Sequence, residues 1–138
     1  MNSDARFVMI APIPAIAIIT LSFLPRHWSP VPAAGLLLMV AGLALVTLAR
    51  WQLGNAFSIA PRATTLVTRG LYARIRNPVY LFGIVMLAGL FLYLRRPWLL
   101  AVLLPIVTVQ VVRSRREAKV LEAKFGDAYR EYRARTWF

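Results

Sequence analysis

Arginine, asparagine and tyrosine crowd one short stretch, Gly70-Leu71-Tyr72-Ala73-Arg74-Ile75-Arg76-Asn77-Pro78-Val79-Tyr80, which runs straight into an apolar segment. Asn77 followed by Pro78 predicts a helix start. Asn is a favoured N-cap, and Pro fits the first helical position because its missing N–H would be unpaired there anyway. Such a start carries free backbone N–H groups and the positive end of the helix dipole. Beside arginines at a membrane surface, it suits a small anionic group. The same residues also describe a capped membrane helix with basic flanks, and the stretch alone leaves both readings open.

Glu117 is the second candidate. It follows Arg113, Arg115 and Arg116 at the depth where the last long apolar segment should leave a bilayer. An acid there is either a salt-bridge partner for those arginines or a counter-charge for a cationic ligand. The acids Glu122, Asp127 and Glu131 have basic residues three or four positions away and read as solvated helix pairs.

Composition sets the compartment. The chain has 138 residues, of which 59% are hydrophobic, with a mean hydropathy of +0.63. That is too apolar for an ordinary soluble domain of this size, and the long apolar runs point to a membrane protein. There are no cysteines, so disulfides and thiol chemistry are excluded. One histidine, His27, leaves no basis for a metal site of the usual His/Cys kind. The net charge of +12 flanks apolar spans and does not cover a soluble face. It therefore speaks for orientation in the membrane and attraction to anionic lipid heads, not for nucleic acid.

Four spans must position the candidates. The first runs over 7–24, with Pro12 and Pro14 expected to kink or irregularly wind its first turns. A cleaved signal peptide is disfavoured, because the basic start is weak and Ser22-Phe23-Leu24-Pro25 is a poor cleavage site. The second covers 31–49 and should pack on the first as a hairpin, with Gly35 and Gly42 on one face for close approach. The polar connection 50–77 should lie on the membrane through Trp51 and Phe57. The third span is 78–94, and Arg95-Arg96-Pro97-Trp98 makes a tight turn. The fourth, 98–112, should continue as one helix to about Lys124, roughly 40 Å long, so that its end protrudes from the bilayer. Gly126 can cap that helix and Asp127 can start a short last one. Glu117, Leu121, Lys124, Phe125, Ala128 and Tyr132 form an amphipathic stripe along this tail, 113–138.

Charge gives the topology. The connection carries Arg50, Arg62, Arg69, Arg74 and Arg76, and the tail carries Arg113, Arg115, Arg116, Lys119, Lys124, Arg130, Arg133 and Arg135. The two other loops hold only Arg26, Arg95 and Arg96. The positive-inside rule then places connection, tail and both termini in the cytoplasm, in a multi-pass protein expected in a prokaryotic inner membrane. The Tyr72–Tyr80 stretch and the Glu117 helix thereby share one membrane face. The fold class expected is all-α: a single domain over 1–138, with four transmembrane helices, a protruding last long helix and a short amphipathic helix after it.

The stretch Thr65-Leu66-Val67-Thr68-Arg69-Gly70-Leu71-Tyr72, followed by Arg76-Asn77-Pro78-Val79-Tyr80, resembles the isoprenylcysteine carboxyl methyltransferase and phospholipid methyltransferase group of membrane enzymes. That group typically reads Gly-Pro-Tyr and then Arg-His-Pro-x-Tyr. The tail from Glu117 through Leu121 to Phe125-Gly126-Asp127-Ala128-Tyr129-Arg130-Glu131-Tyr132 is similar to the family's Glu-Glu-x-x-Leu and Phe-Gly-x-x-Tyr-x-x-Tyr, and Trp51-Gln52-Leu53-Gly54-Asn55-Ala56-Phe57 fits its upstream pattern. The chain departs at Asn77, where His is usual, at Leu71, where Pro is usual, and at Ala118, where a second Glu is usual.

The resemblance implies S-adenosylmethionine as methyl donor, S-adenosylhomocysteine as product and a lipid-like or apolar small acceptor, methylated at the cytoplasmic face. It implies that Tyr72, Arg76, Asn77, Pro78, Tyr80 and Glu117 bind the cofactor, with Glu117 and Tyr80 as positioning groups. Arginine and helix-start N–H groups suit the cofactor carboxylate, and Glu117 and tyrosine faces suit its cationic groups. Asn77 cannot titrate near neutrality, so a base role at that position is not expected. An in-line displacement asks mainly for positioning and exclusion of water. An amine acceptor would have to lose a proton, for which Glu117 and the tyrosines are the only candidates; this favours a carboxylate or similar nucleophile. The expected partners are membrane lipids and an amphiphilic substrate, with no metal and no nucleic acid. The rival from another class is a helical membrane scaffold that binds anionic lipid through its basic tail.

Overall fold

The computed structural model describes residues 12–24, 29–53 and 66–137. His27, Trp28, Phe57, Phe138 and the first part of the first expected span lie outside them. Among the described residues, five α-helices follow in order: α1 (Pro12–Ser22), α2 (Pro30–Leu53), α3 (Pro78–Tyr93), α4 (Leu103–Phe125) and α5 (Asp127–Arg135). Short 3-10 turns at Gly70–Ala73 and Pro97–Val102 precede α3 and α4. The only β-feature among the described residues is an isolated parallel bridge between Ile75 and Trp137.

Proline decides several helix starts. Pro30 and Pro78 each open a helix, where the missing N–H costs nothing. Pro12 and Pro14 lie in the first described turn of α1, which is α-helical over Pro12–Ser22; the turns before Pro12, for which irregular winding is expected, lie outside the described residues. α2 runs four residues beyond the expected end at Ala49, through Arg50 to Leu53, because nothing in Arg50-Trp51-Gln52-Leu53 breaks a helix. The fourth apolar segment is not α-helical from its start. Pro97–Val102 is wound as a 3-10 turn. Pro105 explains this: it offers no N–H to Ala101, and its ring would crowd that carbonyl in a regular α-turn.

The tightest packing joins α2 to α3. A Cβ on Gly42 would stand 2.7 Å from the Met86 backbone, and one on Gly35 would stand 2.7 Å from the Gly89 carbonyl oxygen. Gly89 in turn faces Gly35 and Met39. The small residues therefore do allow close approach, and the helix they meet is the third. Residues adjacent in sequence need not pack most closely when glycines on α2 and α3 face each other. α1 meets this pair through Thr20, whose carbonyl accepts a 2.8 Å hydrogen bond from Tyr93 Oη and whose hydroxyl contacts Met39 Sδ.

Met39, Val46, Ala49 and Tyr93 fill the seam, while Leu37, Leu104 and Val109 point outward, each at least 65% exposed. A surface of this kind belongs in hydrocarbon. α2 and the continuous helical stretch Pro97–Phe125 are long and apolar enough to cross a bilayer. α1 and α3 are shorter apolar helices; α3, at 16 residues, measures about 24 Å.

Candidate functional site

Everything singled out as chemically capable meets at one end of the helices. Asn77 precedes α3 as its cap residue, yet its side chain makes no capping bond. Asn77 Nδ2 instead donates to Ser114 Oγ on α4 at 2.7 Å, which corrects the expected capping role. The Asn77 carbonyl accepts from the Tyr80 and Leu81 amides and so begins the helix by backbone alone. One turn into α3, Tyr80 Oη donates to Glu117 Oε1 at 2.6 Å, a short charge-assisted bond. Arg113 Nε stands 3.5 Å from the same oxygen. Glu117 therefore pairs with Arg113 along its own helix and also accepts from Tyr80 at the start of α3.

The connection is held from both sides. Gly70 adopts φ +62, a conformation that favours glycine, and a Cβ there would collide with the Gln52 side chain. Gln52 Oε1 accepts the Leu71 amide at 2.7 Å, so the end of α2 clasps the turn. Tyr72 is buried in that turn. Its phenol is pushed up from the ordinary tyrosine value, mainly by burial and then by Tyr132, Glu117 and Tyr80, with Arg50 opposing. It therefore stays protonated in the physiological range. Pro78 is fully buried beneath the same cluster.

The tail closes the far side. Tyr132 Oη donates to the Tyr72 carbonyl at 2.8 Å. The Trp137 amide donates to the Arg74 carbonyl at 3.0 Å, and the Trp137 carbonyl accepts the Arg76 amide at 3.2 Å. This backbone bracket closes around Ile75 and holds the Arg76 amide. Arg76 Nε is buried and finds no hydrogen-bond partner among the described residues. Burial pushes the Tyr132 phenol up to about 12, with Tyr129 adding to the shift and Arg76 opposing it.

On the tail, Tyr129 and Tyr132 carry the buried face of α5, their ring centroids 6.1 Å apart. Lys124 and Ala128, expected on the inner stripe, are exposed. Gly126, at φ +51, turns the chain between α4 and α5. Across that turn Glu122 pairs with Arg130 at 3.0 Å, and not with a neighbour on its own helix as expected. Asp127 shares Arg130, and Glu131 pairs with Arg135.

The structure thus brings Tyr72, Arg76, Asn77, Pro78, Tyr80 and Glu117 together. Sequence reasoning missed Gln52, Ser114 and the Trp137 backbone. Gln52 lay within the quoted Trp51–Phe57 stretch, and Ser114 lies three residues before Glu117 on the same helix face. Among the described residues, no group of three or more His, Cys, Asp or Glu could hold a metal ion.

A helical membrane protein with a polar, tyrosine-rich site at one end of apolar helices is the class that fold and site define. A family model described as phospholipid methyltransferase matches residues 31–128, and the chain belongs to this family of membrane methyltransferases. The match spans α2, the connection, α3, α4 and the start of α5. No curated protein and no solved structure matches the chain.

Proposed function

We propose that the chain is a single-domain, four-span enzyme that transfers a methyl group from S-adenosylmethionine to a lipid-like or apolar small acceptor at the cytoplasmic face. The observation that carries this reading is the pair of bonds Asn77–Ser114 and Tyr80–Glu117, which join the motif before α3 to the exit of α4 beside an unpartnered Arg76 Nε.

The residues present fit the cofactor. Arg76 has a buried donor to spare for a carboxylate. The Glu117 carboxylate suits an ammonium, and the Tyr72 and Tyr80 rings suit a sulfonium. When bound, the cofactor supplies an already activated methyl group. The protein's own part is positioning: Tyr80 and Arg113 fix the Glu117 carboxylate, the Trp137 bracket fixes Arg76, and the docked tail limits access of water. Four spans, both termini cytoplasmic and a prokaryotic inner membrane complete the reading. They are supported by the exposed apolar faces and by the basic residues gathered at the site's end.

The test is isothermal titration with S-adenosylhomocysteine. Wild type should bind saturably. Glu117→Gln keeps the shape and one acceptor oxygen but removes the charge. Loss of a charge-assisted bond contributes roughly 1.5–3 kcal/mol, so affinity should fall about ten- to a hundredfold. The Arg113 pair is partly exposed and the Tyr80 bond keeps a neutral acceptor, so ligand-free stability should fall by about 1–2 kcal/mol. Absence of any binding by wild type would favour the scaffold reading.

A further inference from the structure

One polar side chain in the membrane part of α4 has no role in the site described so far. Gln110 sits in the run Leu103-Leu104-Pro105-Ile106-Val107-Thr108-Val109-Gln110-Val111-Val112. Thr108 satisfies its hydroxyl on the Leu104 carbonyl of its own helix. Gln110 does not: its Oε1 is buried and finds no hydrogen-bond partner among the described residues. A polar group withheld from water and unpaired costs stability, and in hydrocarbon no water relieves it.

Its place on the helix is specific. Gln110 precedes Ser114 by four residues and Glu117 by seven, so the three share one stripe. Ser114 and Glu117 both bond to residues at the start of α3. Gln110 therefore extends the site's polar stripe roughly 6 Å deeper than Ser114 and 10 Å deeper than Glu117. Pro105, Ile106, Val109 and Gln110 line an open apolar groove of about 360 Å³. No residue in the apolar window of this helix is fully buried, although the Gln110 Oε1 atom is, so the groove opens towards the bilayer.

We propose that Gln110 is a specificity residue: its amide takes the polar linker of an amphiphile whose chain lies in the groove and whose head reaches the Tyr80–Glu117 pair. The inference rests on the methyltransferase reading of that pair. The occupant is a bilayer amphiphile because the groove opens onto lipid and its lining is apolar except for one amide at the end nearest the site. The depth fits a linker, since an ester, amide or hydroxyl lies below a lipid's head by about this distance.

The test uses the full chain in detergent and two single-chain probes with the same head and a similar chain. Lysophosphatidylcholine has a glycerol ester and hydroxyl as linker; hexadecylphosphocholine has none. Wild type should bind the first about tenfold tighter than the second, because a site built to hydrogen-bond a group rejects the analogue lacking it. Gln110→Leu should bring that ratio to about one and leave S-adenosylhomocysteine affinity unchanged. It should also raise the melting temperature of the ligand-free protein, since it removes an unpaired amide; a merely structural Gln110 would lower it. Equal binding of both probes by wild type, or discrimination that survives in Gln110→Leu, overturns the proposal. So does conversion of a dimer to a monomer by Gln110→Leu, which assigns the amide to a second copy. Loss of S-adenosylhomocysteine binding in wild type with linker discrimination intact would strike the methyltransferase reading instead.

Discussion

The Asn77 amide reaches across to Ser114 and leaves its own helix start to be closed by the backbone. The bond spans two helices, so it ties the site's geometry to their crossing. Removing either partner leaves the other half-buried and unpaired. Asn77→Ala and Ser114→Ala should each destabilise by about 1 kcal/mol. The double variant should cost clearly less than the two single changes added together, because both break one interaction. Denaturant melts of the four proteins measure this; strict additivity would mean that the two side chains do not depend on one another. Tyr80, Glu117 and Arg76 were legible in the sequence because their types and order carry a pattern. Their mutual bonds were not, since a contact between residues 37 apart is set by how two helices cross and not by local spacing. Asn77 shows the limit well: Asn before Pro gives the right helix start for the wrong reason.

The docked tail belongs to the scale of elements. α5 reaches the connection through Tyr132, whose phenol donates to the Tyr72 carbonyl. That phenol is pushed up to about 12 in the folded protein, against about 10 in an unfolded chain. Between these values the folded state holds a proton that the unfolded state has lost. Stability from this group is therefore complete below about pH 10 and is lost as pH rises through about 12. Thermal melts across that window should fall in wild type, and Tyr132→Phe should remove this residue's share of the fall while lowering stability at neutral pH by about 1 kcal/mol. An identical alkaline profile in both proteins would place the titration elsewhere. The helices themselves were legible from their apolar runs, and Gly35 and Gly42 from their spacing. Which helix those glycines meet was not, because Gly89 lies far off in sequence and only the assembled bundle brings it opposite. The 3-10 start of the fourth segment was hidden for a related reason: Pro105 sits inside an apolar run whose composition says only that it is buried in something.

Over the whole molecule, the described part of the connection, 66–77, and the tail lie at one end of the bundle, and Arg95 with Arg96 at the other, where Arg95 donates to Ser29. Single cysteines at Thr68 and Ala134 should label from the cytoplasmic side of oriented vesicles, and a cysteine at Arg96 from the opposite side. Opposite labelling of the first two would break the shared site. The stretch from Pro97 to Phe125 has a further consequence. It carries lipid-facing turns at one end and Glu117 nearer the other, and α4 itself runs from Leu103 to Phe125 with no break. Such a helix is a lever. Swinging it by ten degrees about Leu100 moves a point about 25 Å further along by about 4 Å, more than the whole length of the Tyr80–Glu117 bond. Helices tilt to match hydrophobic thickness. Turnover should therefore peak in bilayers of one acyl length and fall in thinner and thicker ones, so that the membrane's own dimensions set the rate of methyl transfer.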